Sequence, residues 1–373
     1  MVPSRNSLSA DISNPPDTLN VADTSKIGSE DDQMLVIRLS AMGDVAMTVP
    51  VLLALTQQYP QLKITVLTKP FFNAIFERLK NVDVYEAEIK ARHRGIGGLW
   101  KLYRELRKRN FHAVADLHNV LRSKILRAFF RLTNIPFEQI DKGRKEKRAL
   151  TMGKDKAFVP LKPTVERYAS VFADLGYPID LSKVRLLPNE KIPTAVAEMI
   201  GDKEGKWLGV APFAAFKGKM YPLDKMQEVL QRLNKTNRYK ILLFGGGPDE
   251  IAQLEALEEQ IESCVNCAGK LSFTEELALI SNLDAMLAMD SGNAHLAAMY
   301  GIPVIGLWGV THPYAGFYPF GQPMENALMA DREKFPLIPT SIYGNKMPEG
   351  YEKAMETISP TRVVDKIREI LKK

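Results

Sequence analysis

The sequence predicts an α/β protein built from two Rossmann-like domains that face each other across a cleft. At 373 residues the chain exceeds what one hydrophobic core usually holds, so two domains are expected. Short apolar runs alternate with helical patterns, which is typical of parallel sheets joined by crossover helices. The alternation restarts after a proline-marked stretch at 187–193. We therefore expect one domain at 33–187, a second at 188–350, and a C-terminal helix at 351–373.

The first domain begins abruptly after a polar segment. Residues 1–32 are rich in Ser, Asp and Pro and contain no apolar run of the kind found in a signal peptide, so we expect a disordered extension. Met34–Leu39 is a short apolar, β-branched run that predicts a buried parallel strand. The expected elements after it are a helix at 45–58, a strand at 63–67, a helix near 71–79, a strand near 82–85, a basic helix at about 99–110 and a strand at 112–116.

The second half shows the same alternation and a clear final helix. The expected elements are a helix near 194–200, a strand at 207–211, a helix at 223–233, a strand at 240–244, a helix at 249–259, a strand at 285–288, a helix at 294–300 and a strand at 304–308. Ser359 precedes Pro360 and an apolar pattern of helical period, which predicts a capped helix that ends near Leu371.

The composition indicates a folded protein of a reducing compartment. Hydrophobic residues make up 45% of the chain and charged residues 25%, and no run approaches the ~18 apolar residues of a membrane span. Cys264 and Cys267 cannot form a disulfide framework. Their C-x-x-C spacing has no second pair of metal ligands, so we interpret them as a reduced, structural pair. We expect a cytoplasmic protein.

The positive charge is concentrated in the first half of the chain. The net charge is +6, yet residues 90–110 hold eight basic side chains and one acid, and residues 142–156 hold seven and two. Such patches attract nucleic acid, an anionic membrane surface or a phosphorylated substrate. They are equally compatible with solvated helix faces.

Polar residues follow several predicted strands, where open α/β sheets bind ligands. Ser40–Asp44 comes after the first strand, and Asp44 is either a plain helix cap or a general base. The loop at 211–222 carries Lys217 and Lys219, which are either solvated or neutralise a diphosphate leaving group.

Two further loops lie in the second half. Gly245–Gly247 permits close backbone approach to a ligand, and Asp249 or Glu250 after it is placed to hold a ribose. This turn is not a G-x-G-x-x-G fingerprint, which argues against a nicotinamide-dependent oxidoreductase. Asp290–Ala298 combines an acid, the small residues Ser291 and Gly292, and His295 at a helix start. That segment predicts a phosphate cradle, although a lone histidine is more often structural.

Two of these motifs resemble glycosyltransferase family nine, the bacterial ADP-heptose:lipopolysaccharide heptosyltransferases. The first is Val36–Val45 (VIRLSAMGDV) with Thr48 and Pro50. The second is Asp290-Ser291-Gly292-x-x-His295-Leu296-Ala297-Ala298 with Gly301–Gly309 (GIPVIGLWG). The resemblance covers about 35–371 and implies the GT-B fold.

The resemblance also implies roles for individual positions. It makes Asp44 the catalytic base and Lys219 the group that contacts the donor phosphates. The other implied donor contacts are Lys217, Gly246, Asp249 or Glu250, Asp290, Ser291, Gly292 and His295. The implied acceptor contacts are Ser40, Met42, Gly43, His118, Asn119 and Arg122. Phe213–Phe216 departs from the family's usual small, hydroxyl-bearing loop, and residues 142–156 match no family signature.

A mechanism and partners follow from that resemblance. It implies an inverting, metal-independent transfer of heptose from ADP-heptose to a lipopolysaccharide inner-core acceptor of the Kdo–lipid A type, with no cofactor and no nucleic-acid partner. We expect peripheral contact with the anionic inner membrane, with Trp100 and Tyr103 at the interface. The alternatives are a transferase of the same fold that uses another nucleotide sugar for surface polysaccharide, a NAD-dependent oxidoreductase and a nucleic-acid-binding protein.

Overall fold

The structure, a computed structural model, describes residues 32–153 and 156–372. The extension predicted at 1–32 lies outside the described residues except for Asp32. Within the described ranges, the first half forms a parallel sheet of five strands in the order β3-β2-β1-β4-β5. These strands are β1 (Gln33–Ile37), β2 (Lys63–Thr68), β3 (Val82–Glu86), β4 (Ala113–Asp116) and β5 (Phe137–Gln139).

The second half forms a parallel sheet of the same topology with one additional strand. Its order within the described residues is β11-β10-β9-β6-β7-β8. The strands are β6 (Lys206–Ala211), β7 (Tyr239–Leu243), β8 (Cys264–Asn266), β9 (Ala285–Met289), β10 (Val304–Trp308) and β11 (Ala327–Met329). Both sheets therefore have the Rossmann strand order, and the order in which strands are added reverses between β1 and β4 and between β6 and β9. This arrangement confirms the predicted fold class.

Helices cover both faces of the two sheets. In the first half they are α1 (Met42–Ala46), α2 (Thr48–Gln58), α3 (Gly95–Arg107), α4 (Leu121–Phe130), α5 (Arg144–Leu150) and α6 (Thr164–Asp174). In the second half they are α7 (Thr194–Ile200), α8 (Leu223–Asn234), α9 (Pro248–Gln260), α10 (Phe273–Ile280), α11 (Gly292–Ala298) and α12 (Pro360–Leu371). Ser359 Oγ accepts a hydrogen bond from the Arg362 amide at 3.2 Å, so α12 begins where its cap predicts.

Two predicted helices differ from the structure. The helix expected at 45–58 is divided into α1 and α2, which meet at Met47. The helix expected near 71–79 is a 3₁₀ helix, Pro70–Ile75, that closes with a hydrogen bond from the Phe76 amide to the Asn73 carbonyl. Phe72 and Ile75 are buried there while Phe71 is 60% exposed. A spacing of three residues puts both buried side chains on one face of a 3₁₀ helix.

The two sheets share one continuous apolar core. The largest cluster of buried side chains runs from Val36 and Leu52 through Tyr168 to Val196 and Leu296. Helix α1, after β1, packs directly on α11, after β9. The carboxyl ends of the two sheets therefore face each other. The domain boundary expected at 187/188 stays a prediction. The Leu187 amide donates a hydrogen bond to the Met299 carbonyl at 3.3 Å, so residue 187 is bonded to the second half.

Candidate active site

Asp44 lies where the strand order of the first sheet reverses, and Arg38 holds its carboxylate. Arg38 follows β1 and is 5% exposed. Its Nη2 is 2.6 Å from Asp44 Oδ2, and its Nη1 donates to the Leu117 carbonyl at 2.6 Å. The Asp44 side chain remains 26% exposed. Oδ2 also accepts a hydrogen bond from the Ala41 amide at 3.4 Å, so Asp44 takes part in the capping box of α1 while its carboxylate stays partly accessible.

His118 completes this wall as a neutral imidazole. Its Nδ1 accepts a hydrogen bond from the Leu39 amide at 3.4 Å, so the ring proton is on Nε2. Burial, together with the nearby Arg38 charge, lowers the pKa of His118 to about 3. Asp116 Oδ1 accepts hydrogen bonds from the amides of His118 and Asn119 and shapes the turn that carries the imidazole. His118 can therefore donate a hydrogen bond from Nε2 at neutral pH.

Lys219 and Asp290 form the opposite wall, where the strand order of the second sheet reverses. Lys219 Nζ lies 2.9 Å from Asp290 Oδ2, which also accepts a hydrogen bond from Thr311 Oγ1 at 2.8 Å. Lys219 comes after β6 and Asp290 directly after β9, so the strand order brings together residues 71 positions apart. The Lys219 and Asp290 side chains are 12% and 11% exposed. The ammonium group is thus fixed next to the cleft.

The two walls meet in one cavity of about 260 Å³. Its lining includes most of the predicted catalytic and phosphate-binding positions: Gly43, Asp44, Lys219, Asp290, Ser291, Gly292 and His295. His295 is 7% exposed, and burial lowers the pKa of its imidazole despite the nearby Asp290 and Asp44. Ser291 Oγ is buried and has no hydrogen-bond partner within the described residues. A carboxylate from one domain therefore faces an ammonium group from the other.

A basic cavity of about 270 Å³ opens on the Asp44 side. Its polar lining residues are Arg38, Ser40, Asp44, His118, Lys142, Lys147, Thr164, Arg167 and Tyr343. Burial lowers the pKa of Lys147 to about 8 and, in direction, that of Lys142. Lys142 and Lys147 belong to the basic segment 142–156, so part of that charge lies beside the cleft. Four cationic side chains in one cavity favour an anionic ligand.

A larger, partly aromatic cavity of about 370 Å³ lies beside the second sheet. Its lining residues include Met42, Phe71, Phe213, Phe244, Gly245, Gly246, Glu250, Leu271, Phe273, Glu276, Ser291 and Gly292. Glu250 Oε2 accepts a hydrogen bond from the Gly246 amide at 2.8 Å. Asp249 is exposed and does not line the cavity. Of the two acids after the glycine turn, the structure therefore places Glu250 at the site.

Some predicted positions lie away from these cavities. Lys217 and Arg122 are exposed and line none of the three. Asn119 donates its side-chain amide to the Ile140 carbonyl and supports the loop after β4 instead. Met42, predicted on the acceptor side, lines the aromatic cavity on the other side of α1.

The predicted membrane position of Tyr103 is wrong, whereas the interpretation of the two cysteines agrees with the structure. Tyr103 is 2% exposed and packs against Phe130, with ring centroids 5.2 Å apart, because the inward face of α3 covers the sheet. Trp100 is 41% exposed. Cys264 and Cys267 are buried and free, and burial raises the pKa of each thiol to about 12.

Several site residues were missed by the sequence analysis. They are Arg38, Lys142, Lys147, Arg167, Thr311 and Tyr343. Arg38 carried a signal, since an arginine at the end of an otherwise apolar buried strand needs an anionic partner. Arg167 and Tyr343 carried none, because only the tertiary fold brings them to the cleft.

Across 32–153 and 156–372, no group of three or more His, Cys, Asp and Glu side chains is arranged to hold a metal ion. In the same ranges, no helix has the length and apolar character needed to cross a bilayer.

The chain is similar to characterised transferases along most of its length. The family model described as glycosyltransferase family 9 (heptosyltransferase) matches residues 99–336. Lipopolysaccharide core heptosyltransferase OpsX of Haemophilus influenzae is 27% identical over 75% of this chain and 80% of its own. Lipopolysaccharide heptosyltransferase 2 of Salmonella typhimurium is 26% identical over 91% of this chain and 98% of its own.

Solved structures agree on the fold. A family 9 glycosyltransferase from Veillonella parvula superposes with a TM-score of 0.72 at 21% identity, covering 91% of this chain and 97% of that one. The Escherichia coli heptosyltransferase WaaC with ADP gives 0.66 at 21% identity, covering 91% and 99%. The match of the family model to more than half of the chain, together with this shared GT-B fold, shows that the chain belongs to glycosyltransferase family 9 and is a glycosyltransferase.

Proposed function

We propose that this enzyme transfers a heptose from ADP-heptose to a lipopolysaccharide inner-core acceptor of the Kdo–lipid A type, with inversion at the anomeric carbon. The observation that carries the proposal is the opposition of Asp44 and Lys219 across one cavity between the two sheets. The relatives OpsX and heptosyltransferase 2 are named for heptosyl transfer to lipopolysaccharide, which supports the donor and the acceptor class.

Asp44 acts as the general base on the acceptor. Its carboxylate takes the proton from an acceptor hydroxyl, and the oxygen attacks the anomeric carbon as the bond to the nucleoside diphosphate breaks. Arg38 keeps Oδ2 in place from the buried side of the loop. Because this is a single displacement, the anomeric configuration inverts.

Lys219 stabilises the negative charge that develops on the leaving diphosphate. A preorganised ammonium group in a water-poor cleft stabilises such charge without moving during the reaction. The unpartnered Ser291 Oγ can donate to a phosphate oxygen, which supplies the buried hydroxyl with the partner it lacks. These groups act without a metal ion in our scheme, so activity should persist in a chelator.

The basic cavity on the Asp44 side is our acceptor site. Lys142, Lys147 and Arg167 line it, and Phe317 and Tyr343 contribute ring surface. Kdo carboxylates and phosphate groups are anions that such a cavity would hold next to Asp44. His118 can donate its Nε2 hydrogen to an acceptor oxygen.

We also propose that α3 and α4 rest on the cytoplasmic face of the anionic inner membrane. Ile96, Trp100 and Leu121 expose 68%, 41% and 75% of their surfaces on these two adjoining helices. Basic residues surround them in the segment 90–110. Sedimentation with vesicles containing phosphatidylglycerol at low salt tests this contact. Binding that salt weakens and that Trp100→Ser with Leu121→Ser reduces would support it, whereas no binding would overturn it.

The decisive experiment measures transfer and donor choice together. Purified enzyme is incubated with a Kdo–lipid A acceptor and ADP-heptose in the presence of a chelator, and the product is identified by mass spectrometry. A panel of ADP, UDP, GDP, CMP and NAD is compared in parallel by thermal stabilisation. Heptosylated product and selective stabilisation by ADP support the proposal. Selective stabilisation by UDP or GDP would replace the donor, and a response to NAD alone would overturn the reaction.

A further inference from the structure

A carboxyl group without a partner projects into the aromatic cavity of the second domain. Glu276 is in the first half of α10 and lines that cavity together with Phe71, Phe213 and Phe273. Within the described residues its carboxyl group makes no hydrogen bond and no ion pair. Its neighbour Glu275, in contrast, is bound to the Ser272 amide and hydroxyl. Glu276 is in the first turn of the helix but, unlike Glu275, makes no capping hydrogen bond.

The surroundings of Glu276 disfavour its ionised form. Burial is the cause that raises the pKa of Glu276 to about 7, since no cation compensates for the lost water. The residue is only partly buried, and its carboxyl oxygens stay open to the cavity rather than being sealed in the protein. Loss of surrounding water without a compensating partner still disfavours the charged form. An acid that lacks a partner in the empty protein and lines a ligand cavity is a candidate for ligand recognition.

The sheet topology places Glu276 at the far end of this cavity from the diphosphate. Phosphates are expected where the strand order reverses, between β6 and β9, near Lys219 and Ser291. The adjacent strand β7 leads to Glu250, and the next strand, β8, leads to α10 and Glu276. Three strand spacings separate the ends of β9 and β8, roughly 14 Å. A nucleoside that extends along this edge passes Glu250 and brings its base to Glu276.

We propose that Glu276 recognises the base of the nucleotide donor by pairing with the amino-bearing edge of adenine, and thereby selects adenine over uracil. This inference rests on the proposed function, because it assigns the base end of the same donor site. The aromatic side chains around Glu276 supply surface against which a planar base can pack.

The chemistry of the two bases supports this choice. Adenine presents an amino donor next to a ring-nitrogen acceptor. A protonated Glu276 can donate to the ring nitrogen and accept from the amino group, and an ionised Glu276 can still accept from the amino group. Uracil presents a carbonyl oxygen in the corresponding place, which repels a carboxylate. An ionised Glu276 held against the exocyclic group therefore disfavours uracil relative to adenine. A protonated Glu276 could donate to the uracil carbonyl, so the selection against uracil comes from the ionised form.

The experiment uses ligands that differ by a single group. Dissociation constants for ADP and for purine riboside 5′-diphosphate, which lacks the amino group, are measured by calorimetry on wild type, Glu276→Leu, Glu276→Gln and the control Asp249→Asn. Wild type should prefer ADP by about tenfold, the value of one hydrogen bond to an ionisable group. Glu276→Leu should lose that preference while its affinity for purine riboside diphosphate is unchanged.

Two controls separate recognition from structure. Glu276→Gln should retain the preference, since a carboxamide forms paired hydrogen bonds with adenine. Asp249→Asn removes an exposed acid outside the cavity and should match wild type. Without ligand, Glu276→Leu should melt no lower than wild type, because the acid that is removed has no partner and only a partial water shell.

The outcomes also distinguish this inference from the proposed function. If wild type binds ADP and Glu276→Leu still prefers it to purine riboside diphosphate, or if Glu276→Leu weakens both ligands equally, the role of Glu276 is overturned. If wild type binds UDP more tightly than ADP, the proposed donor fails first, and this inference fails with it.

Discussion

Gly43 of the first domain lies against the imidazole of His295 in the second, so closely that a methyl group on its Cα would come 2.8 Å from Cδ2 of the ring. This contact joins α1 to α11, the two short helices that follow the central strands of the two sheets. Asp44 is the next residue after Gly43, and Asp290 begins the turn into α11. The separation of the two catalytic walls is therefore set by a position where no side chain fits.

Gly43→Ala should separate these walls. The added methyl group must displace the His295 ring, and overpacking of this kind costs roughly 1–3 kcal/mol. We expect a lower melting temperature and a fall in kcat of at least about tenfold, because small misplacements of reacting groups are costly. Gly97→Ala is the control, since Gly97 lies in α3 with no atom within 4 Å of the new methyl group. That variant should be as stable as wild type or more stable; normal activity in Gly43→Ala would contradict this account of the interface.

Asp44→Asn should abolish most of the activity and leave donor binding intact. The amide cannot accept the acceptor proton, and loss of a general base costs roughly 10²–10⁴-fold in rate. Asp44 lines no part of the aromatic cavity that we assign to the nucleoside, and in the cavity that it shares with the phosphate-binding residues the substitution removes a negative charge. ADP should therefore stabilise the variant at least as much as it stabilises wild type. Steady-state rates and ADP-dependent melting curves measure the two effects. A variant that keeps more than a tenth of the wild-type kcat would remove Asp44 from the chemistry.

Lys219→Ala should lower both donor affinity and kcat, whereas Lys217→Ala should not. The two lysines are in one 3₁₀ turn, but only Lys219 lines the cleft and pairs with Asp290. Loss of one preorganised group that stabilises the leaving charge costs roughly 10²–10³-fold in kcat. Equal effects of the two substitutions would show that the turn contributes only general positive charge.

Periodicity and strand-end residues predict the fold and the two centres of charge. The strands β1, β6 and β9 lie where the strand order reverses and are largely apolar. Asp44, Lys219 and Asp290 follow these strands. The order of those strands predicts which loops share a sheet edge. It does so because parallel crossovers have a fixed hand and leave few arrangements.

The remainder of the site depends on contacts that no local pattern encodes. No element is predicted within 117–187. Helices α4 and α6 carry apolar residues at helical spacing that could have been recognised, whereas β5 has three partly buried residues and α5 is largely charged. Lys147 reaches the cleft only because α5 packs near α6 and the ring of Phe317, which lies 4.3 Å from Nζ. Glu276 is a similar case. A charged residue early in a helix normally points to water, and only the tertiary fold directs this side chain towards a cavity.

Lys147 should make acceptor use sensitive to pH on the alkaline side. Burial, the Arg167 charge and neighbouring cations lower the pKa of Lys147 from 10.5 to about 8. The free enzyme therefore loses this positive charge as the pH rises through 8, and kcat/KM for an anionic acceptor reports groups of the free enzyme. We expect kcat/KM for the acceptor to fall above pH 8, with little change in the affinity for ADP. Lys147→Arg, which stays charged, should move the fall to higher pH, and Lys147→Met should give a lower, flatter profile.

The same pKa has an opposite consequence for stability. Between about pH 8 and 10.5 the unfolded chain binds a proton at Lys147 that the folded protein does not, so the contribution of this residue to the free energy of unfolding rises with pH across that interval. Relative to Lys147→Met, wild type should therefore become more stable as the pH increases from 8 to 10. Urea unfolding of both proteins at pH 7.5, 8.5 and 9.5 measures the difference. A difference that is constant across the three values would place the pKa of Lys147 outside this range, and the acceptor profile would then require another titrating group.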